Sequence, residues 1–70
     1  MDDMSKITSE FIRLIRTIWD DDEFVLGMMT FADNDDDRQT IIDFINAGGD
    51  VDVETVSVLA LELDRKRYGN

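Results

Sequence analysis

Apolar residues recur every three or four positions along most of this 70-residue chain, interrupted by short acidic runs. In "SKITSEFIRLIRTIW", Ile7, Phe11, Leu14, Ile15 and Ile18 fall on one helix face, and Ser5 is placed to cap its start. Arg13 and Arg16 lie off that stripe and are expected in solvent. The run "DDDE" after Trp19 suits the start of a second helix, where carboxylates accept free backbone N–H groups and complement the macrodipole. The stretch that follows, "EFVLGMMTFA", is apolar around more than half of its circumference. Phe24, Met28 and Phe31 share one side, Val25, Met29 and Ala32 lie beside it, and Leu26 points elsewhere. A helix with so wide an apolar arc is central to a core or shows part of that arc to a partner.

A third helix is expected after "DNDDD", with Asp36 in the cap position and Gln39 completing a capping-box pattern. Ile41, Ile42 and Ile45 form its stripe, with Phe44 at the edge, and Gly48 is suited to the left-handed residue that ends it. The last segment admits two periods. Val51, Val53, Thr55, Ser57, Leu59, Leu61 and Leu63 alternate as in a strand, whereas Val53, Val56, Leu59, Ala60 and Leu63 make a helical face. The absence of a breaker from Val53 to Tyr68, the cap offered by Asp52 and the basic "RKR" near its end favour helix.

The pattern therefore predicts an all-α fold: one domain over residues 1–70, a compact bundle of four short helices at about 5–19, 21–32, 37–47 and 53–67. The expected core is Phe11, Leu14, Ile15, Ile18, Phe24, Met28, Phe31, Ile41, Ile45, Val56, Leu59, Ala60 and Leu63. On the helical reading Val58 and Leu61 fall roughly opposite the core stripe, at about 100° per residue. With Leu26 they are the candidate partner-contact residues. Phe24, Met28, Met29 and Phe31 offer a second possibility, an adaptable groove of the kind methionines provide.

Charge narrows the function classes. Seventeen acidic and seven basic side chains leave a net charge of −10, which opposes direct binding to nucleic acid and to anionic membranes and favours basic protein surfaces. With no Cys and no His, disulfides are excluded, and neither a thiol nucleophile nor an imidazole base exists. "AGGD" lacks the spacing and the Lys of a phosphate loop, so no enzyme and no cofactor is expected. The acidic N-terminus has no apolar leader segment, and uncharged runs such as "FVLGMMTFA" are too short to span a bilayer, so a cytoplasmic protein is expected.

The aspartates of "FADNDDDRQT" are the only candidate metal ligands, namely Asp33, Asp35 and Asp37. Counted as a calcium loop from Asp33, position 6 is Arg38 and position 12 is Phe44, where Gly and a bidentate Glu are needed. Other registers also fail, so the segment is read as a solvated interhelical loop and no metal centre is expected.

"EFIRLIR", "NDDDRQTIIDFINAGGDV" and the final helix together resemble the small SAM-like bacterial proteins of the YozE type. Those run from a short helix with a Phe-rich start, through an acidic stretch and a helix, to a Gly-containing turn and a closing helix. The resemblance implies a bundle of short helices packed at steep angles, with no catalytic residues to carry over. The leading functional expectation is a noncatalytic protein–protein interaction module with a protein partner, basic in character, or a homodimer. The alternative is an acidic decoy that occupies the groove of a basic nucleic-acid-binding protein, and the third is weak divalent-cation binding.

Overall fold

The computed structural model describes residues 5–69, and every segment expected to be helical is a helix. Residues 1–4, which belong to the stretch read as lacking an apolar leader, and residue 70 lie outside the described residues. The elements are α1 (Lys6–Ile18), α2 (Asp22–Phe31), α3 (Asp35–Asn46) and α4 (Val53–Tyr68), with no strand among the described residues. The period-2 alternative for the last segment does not form.

Each helix starts on a side-chain cap. Ser5 Oγ accepts from the Thr8 amide, and the Asp21 and Asp52 carboxylates accept from the Phe24 and Thr55 amides. At Asp52 the Thr55 hydroxyl accepts from the Asp52 amide in return, which completes a capping box. α3 departs from expectation. Its cap is Asn34, whose side-chain oxygen accepts from the Asp37 amide at 2.9 Å, so the helix begins at Asp35 and not after Asp36. Gln39 bonds forward to Asp43 and closes no box with Asp36. Gly48 carries the positive φ of 88° that lets the chain leave α3, a conformation costly for any residue with a Cβ.

The helices form a ring in which chain neighbours are not always spatial neighbours. α1 packs most broadly on α3, α2 on α4, and the α1–α2 and α3–α4 hairpins close the ring. α2 and α3, joined by the short segment Ala32–Asn34, sit diagonally.

This arrangement decides which apolar residues are sealed. Phe11, Leu14, Ile15, Met28, Ile41, Val56 and Ala60 are buried as expected. Val25, Ala32 and Ile42 are buried as well, while Ile18, Phe24, Phe31, Ile45, Leu59 and Leu63 are only half-buried against the cluster. In α2 and α3 the sealed direction thus runs through Val25, Ala32 and Ile42, off the centre of the widest apolar stripe. Arg13 and Arg16 are exposed, and they form surface ion pairs with Glu10 and with Asp20 and Asp22.

Candidate protein-binding surface

The acidic run between α2 and α3 is structural in this molecule. Asp37, buried at the start of α3, receives two hydrogen bonds from the Arg67 guanidinium, at 3.0 and 3.2 Å, and a third from the Asn34 amide. The Arg67 guanidinium holds the Asp37 carboxyl below the usual aspartate range, against the opposing effect of burial. One residue further along α4, the Tyr68 hydroxyl donates to Asp33 at 2.6 Å and lowers that carboxyl too. Asp35 accepts from Ser5 Oγ at 3.4 Å. The three metal-ligand candidates thus point to three different partners, and among the described residues no group of three acidic side chains is placed to hold a metal ion. The "RKR" cluster divides accordingly: Arg67 is spent on Asp37, and among the described residues Arg65 and Lys66 make no ion pair.

Arg38 is the residue that periodicity missed. Its guanidinium donates to the carbonyls of Ala32 (2.6 Å) and Met29 (3.3 Å) at the end of α2, and to the Thr8 hydroxyl of α1 (2.9 Å). It also lies 6.0 Å from the centre of the Phe11 ring. One cation therefore satisfies the C-terminal carbonyls of α2, complements their dipole and ties three helices. The available signal was its isolation, for it is the only Lys or Arg between Arg16 and Arg65.

The two hairpin corners differ from this junction. Asp20, Asp21, Asp22 and Glu23 lie at the α1–α2 corner, and Asp50, Asp52 and Glu54 at the α3–α4 corner. Two of these seven are caps, and among the described residues Arg16 is the only cation that pairs with any of them. Trp19, 49% exposed, stacks at 5.2 Å on Phe24 at the first of these corners.

From that corner an apolar groove of about 220 Å³ runs between α2 and α4, lined by Phe24, Gly27, Met28, Phe31, Ser57 and Leu61, with Glu23 at its mouth. The structure distributes the three sequence candidates over separate surfaces. Leu61 walls this groove, while Leu26, 66% exposed, lines a cleft on the other side of α2 with Ile12, Val25 and Met29. Val58 lines neither and stands on the outer face of α4. Of the methionine and phenylalanine set, Phe24, Met28 and Phe31 share the groove, and Met29 belongs to the Leu26 cleft. A wider hollow of about 450 Å³ between α3 and α4 has Leu59 and Leu63 in its lining with Glu62, Arg65 and Lys66, so its two cations outnumber its one acid.

No family model, curated protein or solved structure matches the chain. No helix is long and apolar enough to cross a membrane among the described residues.

Proposed function

We propose that this chain is a noncatalytic interaction module that binds a basic protein surface through its hairpin-corner carboxylates. The supporting observation is the unequal use of acid: the junction aspartates are mostly taken up by internal bonds, whereas among the described residues Glu23, Asp50 and Glu54 at the corners serve neither a cap nor an ion pair. Unspent carboxylates at high density raise the local potential and steer cationic partners. The −10 charge works against self-association, so a homodimer is the weaker variant of this reading. The cytoplasm is the compartment this reading assigns.

Replacing Glu23, Asp50 and Glu54 together by Gln, Asn and Gln, with Asp36→Asn, Asp43→Asn and Glu62→Gln combined as an equal-charge control, tests the assignment. A partner retained from a nuclease-treated lysate by the wild type and by the control, and lost by the corner variant, is the expected result. A partner indifferent to the corner charges would overturn it. The decoy reading has the same electrostatic origin but no apolar contribution. It predicts complete release by salt, whereas a partner held in salt is using apolar surface as well.

A further inference from the structure

Gly27 sits in the interior of α2, where glycine is among the poorest helix formers, yet no atom of the fold needs its bareness. A Cβ built there meets nothing within 4 Å. The missing side chain instead leaves a hollow in the α2–α4 groove. Phe24, Gly27, Met28 and Phe31 stand at i, i+3, i+4 and i+7, the four positions that surround a knob in helix-to-helix packing, and Ser57 and Leu61 of α4 form the opposite wall. At about 220 Å³ the space is below the range of small-molecule pockets, roughly 300 Å³ and upward, and it is half enclosed, which suits a single side chain delivered from outside.

We infer that this groove receives an apolar side chain from a basic amphipathic helix of another protein. Charge selects that occupant. Glu23 is in the lining, and Glu54 and Asp64 lie one turn beyond Ser57 and Leu61 along α4, with Arg65 next to Asp64 as the one cation at that end. No Lys or Arg lines it. A second copy of this chain would bring −10 against the same rim, and an acidic segment would be repelled, whereas lysines flanking an apolar knob complement Glu23 and Glu54 at the end of the groove nearest the corner. The inference rests on the corner carboxylates being a protein-binding surface, and adds the segment type and the seat.

Trp19, the only tryptophan, stacks on the groove residue Phe24 and serves as a built-in reporter. The probes are a tryptophan-free synthetic helical peptide with leucines on one face and lysines elsewhere, and a permuted peptide of identical composition without an apolar face. Wild-type protein should bind the amphipathic peptide roughly tenfold or more tightly than the permuted one, with the preference persisting in salt. Gly27→Met fills the hollow and Leu61→Ser removes a wall; both should bring the preference close to unity. Gly27→Met should melt no lower than wild type, so its effect on binding is not a folding defect. A preference unchanged in both variants would overturn the groove assignment, while salt-sensitive binding of both peptides would leave the corner reading intact. Binding of neither peptide at low salt would overturn both.

Discussion

Two acidic regions of similar density in the sequence have different fates in the fold. At the α2–α3 junction, Asp33 and Asp37 are fastened by Tyr68 and Arg67 from the last turn of α4, and Asp35 lies beside Ser5. At the hairpin corners, among the described residues, carboxylates meet only Arg16 and the backbone amides that two of them cap. The difference is supplied by residues some thirty positions away, so an acidic run becomes structural only where the topology brings it a donor. The same number of charges can therefore be internal glue at one place and open surface at another.

The comparison is broken most severely by removing the donors at the junction. Arg38→Met keeps an unbranched stem but leaves the Ala32 and Met29 carbonyls and the Thr8 hydroxyl without their partner. A loss of about 2 kcal/mol is expected, read as a fall of roughly 10 °C in melting temperature. Next comes Asp37→Asn, which leaves Arg67 without its carboxylate. Because Arg67 is 39% exposed and water replaces part of the bond, the loss should be near 1 kcal/mol.

That variant also has a pH signature. Asp37 titrates lower folded than unfolded, so its contribution is complete above about pH 4 and disappears as pH falls through the folded-state value. Asp37→Asn should make the acid limb of the stability curve shallower; an unaltered limb would remove Asp37 from the account. Ser5→Ala, which deletes the α1 cap and its link to Asp35, should cost about 1 kcal/mol in chemical denaturation. The smallest effect belongs to the corners. Asp50→Asn, a side chain outside every cap, ion pair and helical first turn among the described residues, should leave the melting temperature unchanged or slightly raised and weaken its increase with salt. A clear loss of stability there would mean that the corners, like the junction, are structural.

Much of the fold was legible because it depends on local chemistry. Apolar period, the caps at Ser5 and Asp52 and the exit at Gly48 are all settled within a few residues of each other. What was illegible depends on the ring. "DNDDD" offers several capping side chains of similar quality, and the choice of Asn34 over Asp36 goes with the packing that buries Asp37 against Arg67 and lets Arg38 reach the end of α2. In the same way, Val25, Ala32 and Ile42 are sealed in place of Phe24, Phe31 and Ile45 because the rotation of α2 and α3 is set by the assembled ring, which leaves Phe24 and Phe31 lining the groove beside α4. Leu26, Val58 and Leu61 were correctly placed outside the core, but helical angles within one element cannot say that they occupy different sides of the molecule. Gly27 carries no local signal of the hollow beside it, which exists only once α4 lies alongside α2.

The diagonal seating of α2 and α3 has a kinetic and topological consequence. More of the packing lies between the two hairpins than within either, with α1 resting chiefly on α3 and α2 on α4. Neither hairpin alone encloses a core, so a chain cut in Ala32–Asn34 should give two fragments that are disordered apart and acquire helicity together when mixed. Folding is then a docking of two halves rather than growth from one, and the intact three-residue tether serves mainly to keep each half at a high effective concentration for the other.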